Sequence, residues 1–156
     1  MNRTLLAPFV LAAVLVGCGP SAEPAKTADG KKALVVGVVF DSGGRGDKSF
    51  NDSAYAGIER AQQEFGIVAK PVDSRTAKDY EDNLTTLADG GADMIVAVGI
   101  SMENAVKNVA PNFPNVKFAL VDATVEAPNV RNLLFAEGAG SYLAGYAAAL
   151  GSKPKK

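Results

Sequence analysis

The chain has no histidine and no tryptophan, a single cysteine, and a formal net charge of only -1 over 156 residues. Without histidine, the Ser-His-Asp and Cys-His catalytic arrangements and most zinc sites are excluded together. One cysteine excludes an intrachain disulfide framework. A near-neutral balance gives no basic stripe of the kind that nucleic acid requires, so no nucleic-acid partner is expected. No apolar run is long enough to span a bilayer as a permanent helix. What is present is a globular composition, 47% apolar and 21% charged, with length for one domain of ordinary size.

The lone cysteine stands in an informative place. A charged start at Arg3 is followed by an apolar core, Leu5 to Val16, and then by Leu15-Val16-Gly17-Cys18. That order resembles the lipobox of bacterial lipoproteins, in which the cysteine is lipidated and becomes the first mature residue. The reading assigns residues 1–17 to a signal peptide and residues 18–32 to a flexible tether from lipidated Cys18, since that stretch is rich in Pro, Ala, Ser and Lys and has no periodic apolar face. A membrane anchor and a cell-envelope location facing the periplasm or exterior follow as expectations.

The folded part begins at Ala33. Ala33 to Phe40 is apolar without alternation, as a strand covered on both faces of a parallel sheet should be, and is read as the central strand. A polar, glycine-broken loop follows, DSGGRGDKSFND, residues 41–52. Ser49 to Asp52 has capping-box spacing, and Ala54, Ile58, Ala61 and Phe65 continue at helical intervals to Gly66. The alternation then repeats: strand Ile67 to Val72, helix Thr76 to Ala88 with Tyr80, Leu84 and Leu87 on one face, strand Ala92 to Val98. Ser101 is placed to cap a third helix with Met102, Ala105, Val106 and Val109 on its buried stripe and Pro111 stopping it. Strand Val116 to Val121 closes at Asp122, Val130 to Phe135 reads as a fifth strand, and Gly138 to Leu150 as a fourth helix. Alternating strands and helices imply an α/β lobe with a doubly wound parallel sheet. Its ligand edge is the carboxyl one, where Asp41, Gly99-Ile100-Ser101 and Asp122 end their strands.

Most sharper readings of the loop fail on spacing. A Walker A loop needs glycine directly before lysine, whereas Gly46-Asp47-Lys48-Ser49 inserts an acid that repels phosphate; the dinucleotide fingerprint fits no better. Asp41, Asp47 and Asp52 offer oxygen ligands to a hard cation, but a helix cap accounts for Asp52 and a favourable helix dipole for Asp47. No cofactor or metal is expected. Asp41 and Asp122 differ from them, because a carboxylate at the end of a buried strand is costly to desolvate without a donor. Two carboxylates at neighbouring strand ends, with Phe50 and Asn51 in the first helical turn, are the parts needed to stack a flat ring and bind hydroxyls or ring N–H groups. Taken singly, Phe50 reads equally as a staple or core residue, and Asn51 as a turn-stabilising side chain.

Residues 41–58, DSGGRGDKSFNDSAYAGI, closely resemble the opening motif of the basic membrane protein family, bacterial substrate-binding lipoproteins that partner ABC-type importers and include purine nucleoside receptors. Phe118 to Asp122 and Phe135 to Ala149 also resemble family segments. The resemblance implies the N-terminal lobe of a type I periplasmic-binding-protein fold, two lobes closing on a purine nucleoside. By motif position it implies Phe50 stacking on the base, Asn51 and Asp41 on its polar edge, and Asp122 on the ribose hydroxyls. It divides the chain into a first lobe, 33–135, and the first helix of a second lobe, 136–156, with truncation after it. The chain would then carry about half the site. The competing classes are an α/β enzyme, for which no nucleophile-base pair is visible, and a signalling receiver, which lacks its acid and lysine sets. A non-enzymatic importer component is the expectation.

Overall fold

The computed structural model describes residue 30 and residues 32–152. The signal peptide, Cys18 and most of the tether therefore lie outside the described residues. Lys32, assigned to the tether, belongs with the lobe: its Nζ lies 2.9 Å from Asp93 Oδ1.

Five strands form one parallel sheet in the order β2-β1-β3-β4-β5. They are β1 Val35–Phe40, β2 Val68–Asp73, β3 Met94–Val98, β4 Lys117–Val121 and β5 Val130–Leu133. The helices are α1 Phe50–Phe65, α2 Asp79–Asp89, α3 Glu103–Val109 and α4 Glu137–Gly151, with single 3-10 turns on either side of α3. The sequence assigned the centre of the sheet to β1, but the middle strand is β3. The chain leaves β1 in one direction to β2 and then returns past β1 to build β3, β4 and β5 on its other side. The switch point, where strand order reverses, thus lies between β1 and β3, with the loop after β1 beside it.

The two faces of the sheet pack differently. On one, Tyr80, Leu84 and Leu87 of α2 and Ala105, Val106 and Val109 of α3 are buried against Val39, Ile95, Ala97, Phe118 and Leu120. The expected helical stripes are realised there. On the other, Val36, Val38, Phe40 and Val98 form a small cluster with partly buried Ala54, Tyr55 and Ile58 of α1. Phe65, expected on the same stripe, is exposed, because Gly66 turns the chain away in the left-handed conformation.

Parallel strands normally need a helix in the crossover, yet β4 and β5 are joined by residues 122–129 alone. Two asparagines organise that link. Asn129 Nδ2, buried, donates to the carbonyls of Ala110, Phe113 and Val116, each at 3.0 Å, and Asn132 holds Val125 through both its N–H and C=O. The last helix, α4, buries none of its residues, and Tyr142, Leu143, Tyr146 and Leu150 stand exposed. Among the described residues no helix is long and apolar enough to cross a membrane.

Candidate functional site

The loop from Asp41 to Ser49 is built by carboxylates that accept backbone N–H groups. Asp47, not Ser49, caps α1: its Oδ1 accepts from the N–H groups of Ser49 (2.9 Å) and Asp52 (3.1 Å), and its Oδ2 from that of Asn51 (2.9 Å). Ser49 makes no side-chain cap hydrogen bond. Asp52 reaches back instead, accepting from Gly46 N–H at 2.7 Å and Lys48 N–H at 2.9 Å. The expected capping box is therefore replaced by a reciprocal pair shifted two residues toward the N-terminus, which suits the positive end of the helix dipole. Hydrogen bonds from Asn51 and Ser49 hold the Asp47 carboxyl below its ordinary range. Both acids are occupied by these bonds, and among the described residues no group of three metal-ligating side chains occurs. The third helix also starts differently from expectation: Ser101 lies within a 3-10 turn and makes no cap hydrogen bond to α3.

Two further contacts hold the loop onto the lobe. The guanidinium of Arg45 binds Asp73 at the end of β2, with Nη2 to Oδ2 at 2.7 Å and Nε to Oδ1 at 2.9 Å. It also lies over the ring of Tyr55, 4.9 Å from the centroid, with Phe40 at 5.7 Å. On the other side, Ser42 N–H donates to the hydroxyl of buried Tyr80 at 3.1 Å.

This frame brings three of the four predicted ligand residues together. Asn51 is 2% exposed, and its Nδ2 donates to Asp41 Oδ1 at 2.8 Å. Asp41 Oδ1 also accepts Gly43 N–H at 3.0 Å, so the donor that its burial demands is supplied. Gly43 permits the pair: a Cβ there would stand 3.1 Å from both Asn51 Nδ2 and Asp41 Oδ1. Gly99, at the end of β3 with φ +108°, lets the backbone pass 3.4 Å from Asp41 Oδ2 and 3.5 Å from the Phe50 ring, measured from the position a Cβ would take. Phe50 is 39% exposed and forms part of a cavity wall. It is thus not a buried core residue.

The fourth residue, Asp122, stands apart. Asp41 and Asp122 do not end neighbouring strands, because β3 lies between β1 and β4; two strand spacings separate them, about 10 Å. Asp122 adopts the left-handed conformation, φ 62°, and its Oδ1 is buried without a hydrogen-bond partner. Burial, and then the charge and hydrogen-bonding reach of Glu137, push its carboxyl above the ordinary range. Asn51 Oδ1 is the other buried side-chain atom without a partner among the described residues. Buried acceptors left without donors mark positions where a ligand's N–H or O–H groups have a place.

Phe50 and Asp122 face one another across a cavity of about 520 Å³ that runs down the open face of the sheet between α1 and β4. Val38, Val96 and Val98 form its floor and Ala54, Gly57 and Ile58 one side. This is the size and apolar character of a small-molecule pocket. Sequence reasoning missed Glu137, which lines it beside Asp122. The available signal was an acid in the short link between the predicted strand Val130 to Phe135 and the predicted helix Gly138 to Leu150, at the same sheet edge.

The chain is similar to known proteins along nearly all of the lobe. A family profile described as PnrA-like ABC transporter substrate-binding protein, Bmp, matches residues 34–156. An uncharacterized lipoprotein of Pyrococcus horikoshii is 36% identical over 132 residues, covering 83% of this chain and 33% of the relative. The ABC transporter nucleoside-binding protein BmpA of Lactococcus lactis is 31% identical, over all of this chain and 47% of its own length. Among solved structures, an ABC transporter solute-binding protein of Aeropyrum pernix K1 superposes with a TM-score of 0.68 at 37% identity, covering 72% of this chain and 31% of that one. The chain thus spans between a third and a half of the length of these relatives. With the profile matched across the whole described lobe, the chain belongs to the Bmp family of PnrA-like ABC transporter substrate-binding proteins.

Proposed function

We propose that this lobe forms one wall of a nucleoside site in the substrate-binding component of an ABC-type importer. The observation that carries the reading is the group at the end of β1: an exposed Phe50 ring beside a buried Asn51, whose amide donates to Asp41 and whose own Oδ1 has no donor. Phe50 stacks on the base, an interaction worth about 1–3 kcal/mol. Asn51 and Asp41 bind the polar edge of the base, a purine by family resemblance, and Asp122 accepts from the ribose hydroxyls. The binding role needs no chemical step, so the protein acts as a receptor and not as an enzyme. In this reading residues 33–135 are the first lobe and residues 136–156 open a second, which supplies the other half of the site. The lipid on Cys18 anchors the protein outside the cytoplasm, where an ABC-type permease receives the nucleoside.

Calorimetric titration with adenosine, guanosine and inosine tests the reading. The 156-residue chain is expected to bind weakly, because one stacking partner leaves the ligand open to water, and a chain extended by a second lobe to bind tightly. Tight binding by the 156-residue chain alone overturns the half-site part. Absence of binding by both chains overturns the nucleoside reading.

A further inference from the structure

We infer that Glu137 is a second ligand-facing acid of this site, forming with Asp122 a two-carboxyl acceptor for the adjacent hydroxyls of a ribose. The inference rests on the nucleoside reading above and specifies its sugar.

Asp122 and Glu137 reach the same cavity from different elements, one from the end of β4 and the other from the first residue of α4. Each is held in place by its backbone surroundings. Asp122 N–H donates to Leu133 O at 2.9 Å, and Glu137 Oε1 accepts Phe135 N–H at 3.2 Å. Every other cavity-lining residue is non-titrating: β1 and β3 contribute valines, and α1 contributes Phe50, Ser53, Ala54, Gly57 and Ile58. Among the described residues no cation lines the cavity to neutralise the pair. Asp41, the remaining acid of the site, is turned to Gly43 and Asn51 at the end of β1.

An ionised carboxylate only accepts hydrogen bonds, so two of them in reach of each other lack donors. In the empty site a proton supplies one, consistent with the upward displacement of the Asp122 carboxyl. A vicinal diol carries two adjacent donors and replaces that proton, bonding most strongly to the ionised pair. Two consequences follow. A ribonucleoside is held better than its 2′-deoxy or 3′-deoxy counterpart, which leaves one acceptor unmatched. Binding also expels a proton, so affinity weakens as pH falls below the raised Asp122 value, by at most about tenfold per pH unit.

The test compares wild-type and Glu137→Gln chains by NMR-detected titration with inosine, 2′-deoxyinosine and 3′-deoxyinosine. Each titration is repeated across a pH series from acid to neutral, since the Asp122 carboxyl is displaced upward. The glutamine amide donates to Asp122 and ends the proton sharing. The expected result is a preference for inosine in the wild type that shrinks about fivefold or more in Glu137→Gln, with a shallower pH dependence, since burial still raises Asp122. A Glu137→Gln chain that keeps both the preference and the pH slope overturns this inference alone. If neither this chain nor the chain extended by a second lobe binds any of the three, the nucleoside reading falls and this inference with it.

Discussion

The two faces of the sheet differ in what they bury. On the α2 and α3 face, eighteen residues form one continuous core, whereas on the α1 face four do, and beside them lies the cavity of about 520 Å³. The strands serving both faces are the same, so the difference comes from the helices. Helices α2 and α3 pack side by side and close their face, while α1 alone covers the β2 and β1 side and leaves β3 and β4 open toward Asp122 and Glu137. One face stabilises the lobe and the other holds the cavity lined by Phe50, Asp122 and Glu137.

Substitutions on the two faces sharpen that division. Leu84→Ala, at a fully buried position of α2, is expected to cost about 2–5 kcal/mol in denaturant unfolding, while Ile58→Ala, half-buried beside the cavity, costs about 1 kcal/mol. Equal losses at the two positions break the comparison. Phe50→Ala is expected to leave stability nearly unchanged and to weaken nucleoside binding about 5- to 150-fold, read by calorimetry. A loss of stability with unchanged affinity assigns the ring to the core instead.

The loop that joins the faces gives smaller effects. Arg45→Ala removes a partly exposed ion pair and a ring contact, so a loss of about 1 kcal/mol is expected, with a lower nucleoside association rate as the loop loosens. Arg45→Lys restores charge but not the two-pronged geometry and is expected to recover only part of it. Asp47→Asn tests the cap. Because hydrogen bonds depress the folded-state value of this carboxyl, its contribution is present above the unfolded carboxylate value and is lost as pH falls through the folded one. Thermal unfolding of Asp47→Asn should therefore show a lower Tm at neutral pH and a flatter decline in acid than wild type. An identical acid decline in the two chains removes Asp47 from the cap.

Particular residues show where sequence reasoning reached and where it stopped. The stripes Tyr80, Leu84, Leu87 and Ala105, Val106, Val109 were legible because a helix against a closed face must repeat its apolar residues at helical spacing. Phe65 broke the same rule, since it is the last residue of α1, directly before the left-handed turn at Gly66. The cap was misread because Ser49 and Asp47 are both competent acceptors, and only the path of the glycine-rich loop selects between them. Boundaries shifted for similar reasons: α2 begins at Asp79, whose side chain accepts the N–H groups of Arg75 and Thr76 and holds those residues outside the helix.

By itself, the sequence determined the alternation of strands and helices, hence a parallel sheet with its ligand edge at the carboxyl ends, because burial on both faces demands apolar strands and polar strand termini. It also placed Phe50 and Asn51 close to Asp41 in the chain, and the folded loop joins Asn51 to Asp41 by a hydrogen bond. The tertiary structure alone decided the strand order. That order put β3 between Asp41 and Asp122, opened the α1 face, and brought Glu137 to Asp122. Contacts between residues close in the chain are fixed by local geometry. Those across the sheet depend on which strand the chain returns to pair with, a choice settled by packing of the whole lobe.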